Sequence, residues 1–225
     1  MMKVSEKLDR ESNRDYAYRI IHHNIINLEL KPGSMLSEQD LADELELSRT
    51  PVHEALQELS KTKIIEVFPQ KGSLVSLIDM KLVNEARFVR VALESQITEL
   101  ACQAATASDI QKLEENINLQ EFYINKQVQD KIMELDDEFH RMMYQITDKM
   151  QTYLMVKNMN IHYDRFRELK LHTSIATPLL DDHKEILNAI ISKNGAAAKE
   201  LVINHLSRIN ADEKEIRKKY GEFFK

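Results

Sequence analysis

Apolar residues recur in this chain at helical spacing over most of its length and at strand spacing in one short stretch. Tyr16, Ile20, Ile21 and Ile25 share one face of a helix that runs up to Leu30, where Lys31-Pro32-Gly33 ends it. Ser37 is a good N-cap for a second helix, with Asp40 three residues on; Leu41, Ala42 and Leu45 form its inner face, and the pattern is spent by Leu47. Ser48 caps a third, in which Pro51 is tolerated because it falls in the first turn. Val52, Ala55, Leu56 and Leu59 face inward there, which turns Thr50, His53 and Gln57 outward and leaves Arg49 at the N-terminal edge. Ile64 to Phe68 and Ser73 to Leu77 read as short strands joined by Pro69-Gln70-Lys71-Gly72. Three helices and a β-hairpin predict a winged helix-turn-helix.

Beyond it the spacing is helical throughout. Residues 79 to 167 contain neither Gly nor Pro, and about six helices are predicted, roughly at 79–105, 108–127, 129–147, 150–173, 177–193 and 195–219. Ser108 and Thr177-Pro178 are the expected starts of two of them, and Asn194-Gly195 an expected break. The predicted fold class is therefore mainly α, with a winged helix-turn-helix at 1–78 and an all-helical bundle at 79–225. Four glycines in 225 residues agree, since all-β and collagen-like chains need many more. The basic run Lys214 to Lys219 is interleaved with acids and reads as a solvated helix end.

Charge and cysteine narrow the chemistry. The net charge of −6 divides evenly, about −3 on each side of residue 78, and does not exclude nucleic acid, because a local basic patch can bind phosphate on an acidic protein. No run approaches the roughly 18 apolar residues that cross a bilayer, and the charged N-terminal stretch has no apolar leader, so a cytoplasmic protein without a membrane partner is expected. The single cysteine, Cys102, allows neither an intramolecular disulfide nor a CxxC site; any metal here must use histidine and carboxylate.

Such ligands stand on apolar faces. Asp136 and His140, four apart, share a helix face with Ile132, Phe139 and Met143. His183 precedes Ile186 and Leu187 by three and four residues, and His205 lies between Leu201 and Ile209. Each buried polar group needs a partner, and one divalent cation satisfies all four; three histidines and one aspartate suit Zn²⁺ or Ni²⁺ and leave a position for an exchangeable ligand. Arg90 poses the same problem on the stripe Ala86, Leu93, Ile97. Its partner is either Glu94, one turn on, or a ligand carboxylate.

The stretch from Leu30 to Val75, LKPGSMLSEQDLADELELSRTPVHEALQELSKTKIIEVFPQKGSLV, resembles the DNA-binding domain of the GntR family of bacterial transcription regulators, from the PG before the second helix through SRTPV and EAL to the wing glycine. The resemblance implies that Arg49 meets guanine or phosphate, Thr50 reaches phosphate, and Lys71 and Gly72 bring the wing to the backbone. His53 and Gln39 stand where members of the family commonly carry arginines, which changes the sequence read. Residues 81 to 210 resemble the helical FCD effector domain of the FadR-type branch: RVALE at 90–94 its first-helix motif, DDEFH at 136–140 its Asp/His pair, and His183 and His205 its remaining ligands. This implies a homodimer on an inverted-repeat operator in double-stranded DNA, with a small carboxylate bound beside the metal and helped by Arg90 and Glu94. His162 and His172 fit no ligand position, and His22 and His23 read as surface or packing residues.

The chain is expected to be a ligand-responsive repressor and not an enzyme. A sensor of the metal itself is the nearest alternative. A metalloenzyme with a DNA-binding appendage is the more distant one, since no nucleophile or general base stands at a recognisable spacing.

Overall fold

The computed structural model describes residues 2–172 and 177–225, with the backbone alone for residues 177 and 209–212. The chain forms two compact units. One comprises the chain up to Val83 together with Ile161–Glu168 and Arg217–Lys225; the other comprises Asn84–Asn160 and Leu169–Ile216.

The first unit holds α1 (Asn13–Ile26), β1 (Met35–Leu36), α2 (Glu38–Glu44), α3 (Arg49–Lys61), β2 (Ile65–Phe68) and β3 (Gly72–Val75). Ile20, Ile21 and Ile25 of α1 pack with Val52, Ala55, Leu56 and Leu59 of α3 in one core. The helix α1 stops at Ile26, four residues short of the predicted Leu30: Leu28 takes a left-handed φ of +60°, and the Leu30 N–H turns back to the Asn24 carbonyl at 3.0 Å. The Ser37 cap of α2 is as predicted, but the helix ends at Glu44, before the Leu47 expected from the pattern, and Ser48 sits at the N-cap of α3 without a side-chain hydrogen bond. The expected hairpin is present and gains a third strand, β1, in the antiparallel order β1-β3-β2. Two residues are too few to leave a periodicity in the sequence. Gly72 is required by this sheet: its φ is +103°, and a Cβ would stand 2.7 Å from the Leu36 carbonyl oxygen of β1.

The second unit is helical, and its core combines Ile97, Leu113, Ile117, Phe139, Met143, Ile186 and Val202 among others. Its helices come from α4 (Met80–Ala104), α5 (Ala107–Lys126), α6 (Gln129–Ile146), α7 (Met150–Met159), α9 (Thr177–Ile191) and α10 (Gly195–Ser207). Two predicted helices are each broken in two: α7 ends at Met159, capped by Asn160, before α8 (Ile161–Leu171), and α10 ends at Ser207, capped by Arg208, before α11 (Ile209–Tyr220). The start of α5 lies at Thr106 instead of Ser108, because the Thr106 hydroxyl accepts from Asp109 N while the Asp109 carboxylate accepts from Thr106 N. Among the described residues no helix is long and apolar enough to cross a membrane.

Candidate functional site

Two sites stand out, one in each unit. In the first, α3 presents its N-terminal residues beside the wing. Pro51 and Val52 are buried, so the helical turn leaves Arg49, Thr50, His53 and Gln57 on the exposed side. A cleft of 460 Å³ runs between that face, the first turn of α2 and the wing; Gln39, Arg49, His53, Lys71 and Gly72 all line it. Thr50 is exposed on the same helix without lining the cleft. Gln39 is held on its own helix, donating to Asp43 at 2.7 Å. Glu38 also lines the cleft and was not anticipated. Glu38 accepts from His53 Nδ1 at 2.7 Å and lies 3.4 Å from Arg49 Nη2. The His53 bond outweighs burial and, with Arg49, holds its carboxyl below the usual carboxylate range. Fifteen residues separate Glu38 from His53, too far for helical periodicity to connect them.

In the second unit Asp136, His140, His183 and His205 meet, each offering a ligand atom within 4.8 Å of the others. Asp136 and His140 come from α6, His183 from α9 and His205 from α10. Every imidazole has its Nδ1 engaged: His140 with Glu94 Oε2 at 2.8 Å, His183 with Gln120 Oε1 at 2.8 Å, and His205 with Asp182 Oδ2 at 3.1 Å. The acceptors are themselves anchored. Arg90 donates to Glu94 at 2.7 and 3.3 Å, Arg208 to Asp182 at 2.6 Å, and Gln120 points its amide nitrogen at Asn116 Oδ1, 2.6 Å away. Phe139 stacks on His183 with centroids 4.1 Å apart.

With a hydrogen on each Nδ1, the Nε2 atoms carry lone pairs, and these converge. His140 Nε2 stands 3.2 Å from His205 Nε2, and His183 Nε2 stands 3.5 Å from Asp136 Oδ1. Two facing lone pairs repel unless a cation lies between them. Neighbouring ligands of an ion with bonds of about 2.1 Å are roughly 3.0 to 3.4 Å apart, so the donor set fits a divalent metal in both chemistry and spacing. Burial lowers the pKa of His205 against the hydrogen bond to Asp182, which favours the neutral ligand form.

Arg90 and Glu94, expected to hold an effector carboxylate, are bonded to each other, and Glu94 gives its other oxygen to His140. Burial pushes the Glu94 carboxyl up, but Arg90 and His140 together outweigh it and hold it well below the usual range. Gln120 and Asp182 were not anticipated. Asp182 is adjacent to His183 in the sequence, but nothing local tells which of two neighbours turns toward the ring of a third residue. A further buried group, the Tyr144 hydroxyl, has no hydrogen-bond partner among the described residues. Burial, reinforced by Glu94, raises its pKa far above the ordinary phenol range. The remaining histidines stand apart: His162 belongs to the first unit, His172 is exposed, and His22 stacks on Tyr18.

A winged helix-turn-helix followed by a helical bundle with a buried histidine and carboxylate cluster defines a DNA-binding transcription regulator. Residues 13–75 match the bacterial regulatory proteins of the GntR family, and residues 85–208 match the FCD domain. The chain belongs to the GntR family, in the branch that carries an FCD domain, and members of this family are transcription regulators, not enzymes. It is 32% identical over 208 residues to the HTH-type transcriptional repressor RspR of Escherichia coli K12, covering 92% of this chain and 91% of that protein. The fold is shared with E. coli McbR/YncC, at a TM-score of 0.78 and 19% identity over 93% of this chain and 99% of that one. It is shared also with a GntR regulator from Rhodococcus sp. RHA1, at 0.73 and 20%, over 93% and 100%.

Proposed function

We propose that this chain is a repressor that acts in the cytoplasm as a homodimer on an inverted-repeat operator, and that its helical unit holds a Zn²⁺ or Ni²⁺ ion and a small organic acid. The observation that carries the metal is the convergence of three Nε2 lone pairs, each fixed by an acceptor behind it. Asp136, His140, His183 and His205 hold the ion, which supplies a positive centre with an open position for a carboxylate. Tyr144, one turn past His140 on α6, adds a neutral hydroxyl donor for that acid. Arg90 acts at one remove, through Glu94 and His140, and contributes positive potential. Exposed Phe88 and Leu100 on α4 and Phe122 on α5 leave apolar surface on the helical unit that a second copy can cover.

On DNA, Arg49 and His53 read the groove, Thr50 reaches phosphate, and Lys71 and Gly72 bring the wing to the backbone; Gln39 lies beside Arg49 and His53 in the cleft. The acid regulates by binding one conformation of the dimer better than another, a coupling typically of about 1 to 3 kcal/mol. Elemental analysis of the purified protein should give one metal per chain, and Asp136→Ala combined with His183→Ala should remove it. Metal retained in that variant sinks the site. Tyr144→Phe should keep the metal and weaken binding of the copurifying acid, measured by calorimetry. Arg49→Ala should cost roughly 1 to 3 kcal/mol of affinity for the operator by anisotropy. Unchanged affinity removes α3 from the groove.

A further inference from the structure

Glu38 is a carboxylate in the cleft that, on the reading above, receives DNA, where phosphate repels anions. Its two contacts differ. The one to Arg49, at 3.4 Å with an arginine side chain 64% exposed, is weak, so Arg49 can leave it for DNA at little cost. The one to His53 is short, at 2.7 Å. An ionised carboxylate only accepts hydrogen bonds, so the hydrogen sits on His53 Nδ1. Nε2 then carries a lone pair in the neutral ring; it has no hydrogen-bond partner among the described residues, and the side chain is 51% exposed.

We propose that Glu38 is a specificity-determining residue of the DNA interface: by holding His53 in the Nδ1–H tautomer it makes the outward Nε2 an acceptor, so that His53 reads the amino edge of adenine or cytosine. In the major groove only adenine N6 and cytosine N4 donate, whereas guanine offers N7 and O6 as acceptors. An arginine at position 53 presents donors alone and takes guanine; the Glu38–His53 pair reverses that polarity. This rests on α3 lying in the major groove.

Selection from a randomised duplex library, with full-length protein at pH 8, above the ordinary imidazole range, tests both levels. His53→Arg marks the position and strand that residue 53 reads, by selecting guanine there. At that place the wild type should prefer adenine or cytosine over guanine by roughly fivefold or more. Glu38→Gln, whose amide can donate or accept, should flatten that preference while the other positions keep theirs. Guanine selected by the wild type at that position, or a Glu38→Gln profile identical to the wild type's, overturns the role of Glu38 while α3 still reads bases. If His53→Arg and Arg49→Ala both leave the selected sequence unchanged, α3 does not read bases and the proposal falls with that reading. Melting temperatures within about 2 °C of wild type confirm that these exposed substitutions leave the fold intact.

Discussion

At the scale of single residues, the buried cluster depends on groups that never touch the proposed ion. A histidine ligand whose Nδ1 loses its acceptor can flip or change tautomer, and such losses commonly cost 10- to 100-fold in metal affinity. Glu94→Gln, Gln120→Ala and Asp182→Asn should each weaken binding by about that factor, measured by competition against a chelator of known affinity. Unchanged affinity in all three would mean that the rings are held by packing alone, with Phe139 against His183 as the main contact. The four residues that meet in this cluster were legible in the sequence because each places a polar side chain on an apolar stripe. Gln120 was not, because a glutamine on a helix has no pattern of its own until a facing helix supplies the ring it bonds.

At the scale of elements, α4 carries a guanidinium and a carboxylate one turn apart, both almost fully buried. Arg90→Ala removes the cation and leaves Glu94 charged in the interior. Breaking a buried pair from one side typically costs about 3 to 5 kcal/mol, so the urea midpoint of the protein should fall markedly. Arg90→Met with Glu94→Leu should recover much of that stability, because two apolar side chains replace the pair, while metal affinity falls as His140 loses its acceptor. Recovery of both stability and metal affinity would remove Glu94 from the site. The break between α7 and α8 belongs at this scale too. The segment from Met150 to Leu171 contains neither Gly nor Pro, and its local preference is for one helix. It divides at Asn160, where the chain leaves one compact unit and Ile161 enters the core of the other. That choice is made by packing.

At the scale of the whole molecule, segments distant in sequence complete the N-terminal unit. Arg165 of α8 is fully buried and donates to the Ser76 carbonyl at 2.6 Å, and Phe224 forms a parallel bridge with Ile78 near the end of the chain. His162 lies in the same region, with neither ring nitrogen partnered among the described residues. Burial, with the Arg165 charge second, pulls its imidazole down to about 4. The unfolded chain therefore binds a proton at higher pH than the folded one. The resulting stability is complete above about pH 6.5 and is lost as the pH falls toward 4. Denaturant midpoints measured from pH 7 to 4.5 should drop more steeply for wild type than for His162→Leu. Parallel curves would show that His162 binds its proton equally well in the folded and unfolded chain and would overturn the lowered value.

The sequence alone determined that this is a winged helix-turn-helix joined to a helical domain, because periodicity and turn residues are local properties and SRTPV with the wing glycine is a local motif. It also determined that Arg90, Asp136, His140, His183 and His205 point inward, since a helix face follows from spacing. Only the tertiary structure decided what those residues meet. Gly72 is dictated by the β1 carbonyl, His53 by Glu38 and the three imidazoles by Glu94, Gln120 and Asp182. Apart from Glu94, one turn beyond Arg90, these partners leave no mark in the spacing of their own segment: a hydrogen bond between elements depends on where two backbones have been carried, and that is set by burial of the whole core.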